Sequence, residues 1–562
     1  MIKDEILKNL QVSLQKLNIK DTVVLEKPAN PDFGDYSTSI ALKLTKLLKK
    51  NPTEIAQEIA DNLPKNTNIK KVEIIKPGFI NFWINNDFLV KNISSLLKNE
   101  QIDYPKHHLG KNKKIMVEFA HPNTHKLFHI GHLRNISTGE SVVRILEAVG
   151  NKVIRSNYEG DVGLHIAKCL FGIKNSKTDI KKLKTLQEKI EFIGKMYSSG
   201  TKAYEDDEKS KQEIIKINKM IYDRDPEIMP LWTETRQWSL EYFDQNYKRF
   251  YSHFDRLYFE SEFYERGVEI VNDALKKGIL EKSQGAIIFN GKKYGIDTRV
   301  FINSLGFPTY EGKEPALAEK EFTDFGELDK AIHVVTPEQT SFFKVTFKVE
   351  ELLDEKKYKD KQYHLIYEWV KLKAGKMSSR EGNIIEANWL IDEVKKKILE
   401  KSKCDEETAE VLAVASVKYS FLKNGTQTII HFDIDESIAV DGNSAPYLIY
   451  TYVRCLSVLK KSDGSNEIVE HFDKANVDEL NVLRLVNQFP EIVQQAAIQL
   501  SPNLIANYLY DLTQKYNYFY QKNKILESEK ETKQFRLMLT KAVGKIIKEG
   551  LYLLGIKTVE KM

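Results

Sequence analysis

The stretch from Ile115 to Asn157 constrains this fold more than any other part of the chain. IMVEFA (115–120) reads as a short apolar strand and HPNTHKLFHIGH (121–132) as a polar loop rich in histidine. LRNISTGESVVRILEAVG reads as a helix, with Leu133, Ile136, Val143 and Leu146 on its apolar side and Gly150 past its end. KVIRSN then gives a second strand. Strand, loop, helix, strand is the opening of a parallel α/β sheet. In such a sheet ligands bind where strands end and helices begin. IHVV (332–335) and HLIYEWV (364–370) read as later strands, and roughly 174–300, rich in charge and aromatics, as mixed insertions.

The flanking regions have a different character. Residues 1–104 read as a small α/β unit. In it Ile40, Leu44, Leu47 and Leu48 recur at helical spacing, Asn51-Pro52 stops that helix, and KKVEII and GFINFWI are strands joined through Pro77-Gly78. The polar, basic stretch 100–114 reads as a linker. From about 396 the pattern is all-helical: Leu412, Ala415, Tyr419 and Leu422 repeat at spacings of three and four, as do Ile505, Tyr508 or Leu509, Leu512, Tyr516 and Phe519 after Ser501-Pro502. The expected division is 1–104, 105–395 and 396–562, which suits a chain of 562 residues.

Composition narrows the class of function. With 85 Lys+Arg against 80 Asp+Glu, the net charge of +5 permits a polyanionic partner without demanding one. Three cysteines, far apart and in no CxxC pair, give neither a disulfide framework nor a zinc site. No apolar run approaches the ~18 residues that cross a bilayer. A cytoplasmic protein with no membrane contact is expected.

Two loops carry the chemistry. In the first, His129-Ile130-Gly131-His132 stands at a helix N-terminus, whose unpaired N–H groups and partial positive charge suit phosphate. Gly131 leaves room for a flat group near the backbone. His129 and His132 are spaced to donate to one phosphate, and Lys126 adds a charge. One histidine in such a loop is ordinarily a partner for local backbone. His121, His125, His129 and His132 with Lys126 in twelve residues fit that reading less well, and HxxH alone is weak evidence for metal. In the second loop, Ala374 to Asn383, Lys376 and Arg380 offer anion contacts, and two glycines and two hydroxyls surround them. A mobile cationic loop there would stabilise charge on a leaving pyrophosphate. The alternative is a solvated surface loop. No Walker-type P-loop or GxGxxG fingerprint is present.

HxGH early and a KMSS-like loop late resemble the ATP-binding pair of class I aminoacyl-tRNA synthetases. VEFAHPNTHKLFHIGHLRN, NYEGDVG (157–163), GNSAPYLIYTYVR (442–454), YLYDLTQKYNYFY (508–520), LLGIKTVEKM, PDFGDYSTSIALKL and KPGFINFWI resemble the arginyl-tRNA synthetases in particular, in family order over nearly the whole chain. The resemblance implies a Rossmann-type parallel-sheet catalytic domain, a small N-terminal add-on domain that touches the tRNA elbow, and an all-helical anticodon-binding domain. It implies an arginine–tRNA ligase that uses ATP with Mg²⁺, makes arginyl-adenylate and charges the 3′ end of tRNA(Arg), as a monomer without structural zinc.

Residue by residue, the resemblance places ATP on His129, Gly131, His132, Lys376, Met377, Ser378, Ser379 and Arg380. Lys126 stands in for the second lysine of KMSKS, replaced here by Ser379. Arginine is placed on Glu118, Asn123, His132, Tyr310, Glu314 and Gln339, and tRNA on Phe33, Tyr36, Tyr516, Asn517 and Tyr520. Carboxylates suit a guanidinium through planar, bidentate contact. Glu314 stands where the family usually has Asp, and Leu305 replaces the Asp of SDG. Other readings are a Lys-paired strand carboxylate for Glu118, core packing for Tyr310 and for most tyrosines of the 508–520 helix, a class I enzyme for another amino acid such as lysine, and a silent tRNA-binding paralogue.

Overall fold

The computed structural model describes residues 2–28, 30–99, 102, 104, 113–373, 385–462 and 467–562. The linker expected at 100–114 lies mostly outside these. The chain resolves into two compact units, one built from Met1–Pro105, Thr451–Glu491 and Asp511–Ile547, the other from Lys106–Tyr450, Ile492–Tyr510 and Lys548–Met562.

In the first unit, strands β1 (Tyr36–Thr38), β2 (Ile69–Ile75) and β3 (Phe79–Ile84) form an antiparallel sheet of order β1-β3-β2. The hairpin turns at Pro77-Gly78, as its sequence predicts. The helix Pro52–Asp61 starts where Asn51 accepts a hydrogen bond from the Thr53 N–H at 2.9 Å, with proline at its first position. Helix Ile2–Lys16 buries Ile6, Leu10 and Leu14, one per turn. The 33–36 loop is tied down by Asp35, whose carboxylate accepts from the Ile84 N–H at 2.7 Å and from Arg484 Nε at 2.8 Å.

The second unit contains a five-stranded parallel sheet made of β4 (Lys114–Glu118), β5 (Lys152–Glu159), β6 (Arg256–Phe259), β10 (Lys330–Val335) and β11 (Gln362–Ile366). The order across the sheet is β11-β10-β4-β5-β6. β4 leads to β5 on one side and β10 to β11 on the other, so the winding reverses between β4 and β10. That is the Rossmann pattern, with its crevice beyond the C-terminal ends of those two strands.

The 174–300 region is more ordered than its mixed composition suggests. Between β5 and β6 run helices Leu164–Lys174, Leu186–Asp206, Glu208–Tyr222 and Met229–Arg249. Between β6 and β10 lie helix Tyr264–Lys276 and a small antiparallel sheet, β7 (Glu281–Ser283), β8 (Ala286–Phe289) and β9 (Arg299–Ile302). Val271, Leu280, Phe289, Phe301, Val345 and Val349 form a separate apolar cluster around that sheet. Helices Leu164–Lys174 and Leu186–Asp206 meet backbone to backbone: a Cβ at Gly200 would stand 1.9 Å from the Lys168 carbonyl oxygen. Gly200→Ala is therefore expected to destabilise the unit by about 1–3 kcal/mol through overpacking, read as a lower thermal midpoint.

Among the described residues after 396, the regular elements are helices except for β13 (Ile430–Phe432), which pairs in parallel with β12 (Val370–Leu372). This strand is a departure from the all-helical expectation. Leu412, Ala415, Tyr419 and Leu422 are buried along helix Glu406–Leu422. Residues 552–555 pack on the helix Ile130–Ala148 and its neighbours. Ser141 Oγ donates to the Leu553 carbonyl at 3.0 Å, Arg144 to that of Tyr552 at 3.0 Å, and the buried Lys418 ammonium to those of Gly555 at 2.6 Å and Phe250 at 2.8 Å.

Candidate active site

The N-terminus of helix Ile130–Ala148 is closed by its own histidines. The His129 N–H donates to His132 Nδ1 at 3.1 Å, and the Gly131 N–H to His129 Nδ1 at 3.1 Å. The two rings stack with centroids 3.8 Å apart. The flat group accommodated beside Gly131 is thus the ring of His129, 2.9 Å from where a Cβ would stand. Burial, with help from Lys126, lowers the His129 pKa to about 4; burial, then His129 and His121, holds His132 well below the ordinary range. Both imidazoles are therefore neutral at pH 7. A neutral ring that accepts at Nδ1 carries its hydrogen on Nε2. The pair offers two Nε2–H donors beside a helix N-terminus, the donor set that phosphate requires.

The loop before this helix is held in an unusual backbone conformation. Ala120, His121 and His125 all have positive φ, at 83°, 51° and 64°. Such residues cost about 1–3 kcal/mol each and gather at functional sites. The loop is fastened on both sides: Asn135 Oδ1 accepts from the Ala120 N–H at 2.7 Å while its Nδ2 donates to the Val334 carbonyl, also at 2.7 Å. Asn157 Oδ1 accepts from the His121 N–H at 2.9 Å. Asn123 bridges to Gly160, and the Thr124 N–H donates to the Gly160 carbonyl at 2.8 Å, so the 157–163 motif supports the loop directly. His125 is a core residue. It is fully buried, with Nε2 2.7 Å from Thr235 Oγ1 and Nδ1 3.0 Å from Thr124 Oγ1, and burial brings its pKa to about 3. Lys126 is half-buried, its ammonium 5.2 Å from the centre of the Tyr197 ring, and its charge acts on His129 and His132.

Lys376, Met377, Ser378, Ser379 and Arg380 lie outside the described residues. The segment after them returns to the histidine loop. The Ile130 N–H donates to the Ile385 carbonyl at 2.8 Å, the Ala387 N–H to that of Phe128 at 2.9 Å, and His129 bridges Glu386. Segments 250 residues apart in the chain thus meet at the helix N-terminus.

The crevice between β4 and β10 is acidic. Glu118 ends β4 opposite His333 of β10, and His333 Nδ1 lies 3.0 Å from its Oε1. The partner of Glu118 is therefore a histidine and not a lysine. The rest of the Glu118 carboxyl is buried beside Glu321, with which it shares a hydrogen bond. Burial opposes the charge on both residues, but their mutual hydrogen bond and attraction prevail: the Glu118 carboxyl stays below its ordinary value, and His333 rises to about 10. Tyr310, Glu314 and Glu321 share a face of helix Tyr310–Asp324. Glu314 and Glu321 are buried, and burial together with the charge of Glu118 lifts both carboxyls well above the usual range. Glu350, also buried, is raised to about 8 by burial. Tyr310 is 59% exposed at the start of its helix, so the core reading fails there. Gln339 is exposed just past β10. Leu305 is 80% exposed at a turn tip, where its side chain leaves the acidic cluster untouched.

Several residues of this site are absent from the sequence reading: His333, Glu321 and Glu350, the Lys313–Glu260 pair beneath Tyr310, and Glu159, raised to about 8 by burial. The signals were a histidine inside an apolar strand and a glutamate seven residues after Glu314, two turns along the same face. Among the described residues no cluster of His, Cys, Asp or Glu is arranged to hold a metal ion, and no helix is long and apolar enough to cross a membrane.

In the other unit, Tyr516 is fully buried, its hydroxyl 3.3 Å from Thr540 Oγ1. Asn517 is buried with its amide engaged by Arg454 and Thr451, and Tyr36 is buried with its hydroxyl donating to Glu491. All three side chains are packed against their neighbours. Phe33 and Tyr520 keep exposed rings, 46% and 38%, the latter under the Arg454 guanidinium.

The comparisons with known proteins agree along the chain. Residues 92–436 match the family model for the class I (R) tRNA synthetase catalytic domain, residues 2–84 that for the arginyl tRNA synthetase N terminal domain, and residues 448–562 the DALR anticodon binding domain. Arginine–tRNA ligase of Fusobacterium nucleatum is 32% identical over 95% of this chain and 94% of its own, and that of Flavobacterium psychrophilum 31% over 100% and 98%. The same fold is seen in arginyl-tRNA synthetase from Thermus thermophilus (TM-score 0.83, 22% identity, 100% of both chains) and from Plasmodium falciparum (TM-score 0.84, 23% identity, 100% of this chain and 99% of that one). With a matching catalytic-domain model over more than half its length and full-length relatives above 30% identity, the chain belongs to the arginyl-tRNA synthetases, the arginine–tRNA ligases of class I.

Proposed function

We propose that this chain joins L-arginine to the 3′ end of tRNA(Arg) through arginyl-adenylate, with the reaction centred between the His129–His132 pair and the Glu118 cluster. The observation that carries the reading is the pairing of two neutral Nε2–H donors at a helix N-terminus with buried carboxyls at the adjoining switch point of the sheet. Donors suit the α-phosphate as its charge grows in the transition state. Carboxyls suit a guanidinium.

In this mechanism Glu118, Asn123, Tyr310, Glu314 and Gln339 orient arginine so that its carboxylate attacks the α-phosphorus of ATP. His129 and His132 donate to the phosphate oxygens, and pyrophosphate leaves toward Lys126 and the 376–380 segment. Mg²⁺ carried on the triphosphate would supply further neutralisation of phosphate charge. The terminal ribose hydroxyl of tRNA then attacks the adenylate carbonyl and AMP departs. The reading extends to a cytoplasmic monomer without structural zinc. Residues 1–104 would meet the tRNA elbow through Phe33, 105–395 perform the chemistry, and 396–562 read the anticodon with Tyr520 as a stacking ring.

The test is aminoacylation of total tRNA with arginine, lysine, glutamate and citrulline in parallel. Arginine alone should be accepted, with citrulline rejected by about 10⁴-fold, because it would leave buried carboxyls unpaired. Full activity with lysine or glutamate would reject the reading. Lys126→Ala should lower kcat by about 10- to 100-fold with little change in the arginine KM, as for loss of one charge stabiliser. If Arg380→Ala were the more damaging of the two, the compensating role would pass to Arg380.

A further inference from the structure

The buried polar chain around Glu118 does not stop at His333. His333 Nε2 lies 2.9 Å from Gln362 Oε1 on β11, and Gln362 Nε2 donates to Glu350 Oε2 at 2.7 Å. A single line of contacts therefore crosses β4, β10 and β11 and ends on helix Thr340–Leu353. The amide of Gln362 turns its nitrogen to a carboxyl and its oxygen to the imidazole. Glu118 also accepts. With the amide in this orientation both ring nitrogens of His333 donate, the state of an imidazolium, which the Glu118 carboxylate beside it favours. The ring is 1% exposed, with Phe343 and Phe347 against it at centroid distances of 5.1 and 5.4 Å.

Buried carboxyls crowd this one cation. Glu350 Oε1 has no hydrogen-bond partner, and the buried Glu321 carboxyl, lifted toward its neutral form, has only Glu118 to bond to. Unpaired buried acceptors are costly and few in folded proteins. Here they gather around one ionised histidine at the end of the strand that the function reading gives to arginine. Resting on that reading, we propose that His333 is a positioning residue for arginine. It holds Glu118 ionised through Oε1, so the negative charge offered to the substrate cation is set by a resident imidazolium.

The groups that bear on His333 come from every element around it: Glu118 on β4, His121 in the following loop, Glu314 and Glu321 on helix Tyr310–Asp324, Glu350 on helix Thr340–Leu353, and Gln362 and His364 on β11. Of these, His121 and His364 are shifted toward the neutral form by burial. His333 is the one shifted toward the cation, and it keeps its charge up to about pH 10. Without it, burial of Glu118 would be opposed only by the weaker effects of His121 and Glu321. The balance would move toward the neutral carboxyl, which regains its charge as the pH rises.

The test is steady-state charging of tRNA by the full-length enzyme. Wild type must first charge arginine; failure there overturns the function reading and this proposal with it. In an active background, His333→Phe should raise the arginine KM by about 100-fold, as for an uncompensated buried charge. The ATP KM should be unchanged and kcat should fall much less. The arginine KM of the variant should fall as the pH is raised, whereas that of wild type should change little. His333→Gln keeps one donor for Glu118 and should recover about tenfold of the loss. An arginine KM within twofold of wild type in both variants, or equal rises in the arginine and ATP KM values, would overturn the proposal alone. If His333→Phe does not fold, His333→Gln decides. An arginine KM raised about tenfold at an unchanged thermal midpoint supports the role, and a wild-type KM refutes it.

Discussion

Glu118→Gln is expected to lower kcat/KM for arginine by about 10³-fold, because removing one partner of a buried ion pair typically costs about 3–5 kcal/mol. Three losses coincide. The charge that faces the substrate disappears. The His333 imidazolium loses the acceptor that stabilises it. The replacement amide also places an N–H among groups that already donate. The effect should fall on arginine and not on nucleotide, so the ATP KM should hold. Initial-rate charging at varied arginine, with a parallel thermal melt, separates a binding defect from unfolding. Retention of more than a tenth of wild-type kcat/KM in a folded variant would remove Glu118 from the substrate site.

His132→Ala should leave substrate affinities nearly intact and cut kcat by about 10²–10³-fold, the usual loss when a donor to a developing oxyanion is deleted. The ring does two jobs. Its Nδ1 accepts the His129 N–H, and its Nε2–H remains for the transition state. Asparagine at this position, a neutral group able to accept and to donate, should restore part of the rate. Because burial keeps both histidines neutral well below pH 6.5, wild-type kcat should not follow a histidine titration between pH 5 and 7. A clear inflection near 6.5 would mean that the catalytic donor is the imidazolium instead. A His132→Ala enzyme with normal turnover would sink the phosphate role itself.

What could be read from the sequence was whatever is local in the chain. The strand–loop–helix–strand run at 115–157 leaves little choice of topology, and the histidine cap is complete within four residues. The helical spacing of Ile505, Leu509, Leu512, Tyr516 and Phe519 correctly marked an apolar face, all five being buried. The same fact removes Tyr516 from the RNA-facing side, since a tyrosine that satisfies the helical repeat most simply does so by packing. His125 misled for the opposite reason: its neighbours in sequence suggest phosphate, but its partner Thr235 is 110 residues away on an inserted helix. His333, Gln362 and Glu350 lie on separate elements and become one network only after the strands align in register. No periodicity announces that. The two-turn spacing of Glu314 and Glu321 was the one available hint, and glutamates at that spacing usually sit on a wetted face.

Residues 552–555 have a consequence of a different kind. They are held by Ser141, Arg144 and Lys418, and the first two stand on the helix whose tip carries His129 and His132. A few residues far from the chemistry in chain order therefore brace the reactive helix from behind. Removing residues 552–555 would therefore register as slower adenylate formation.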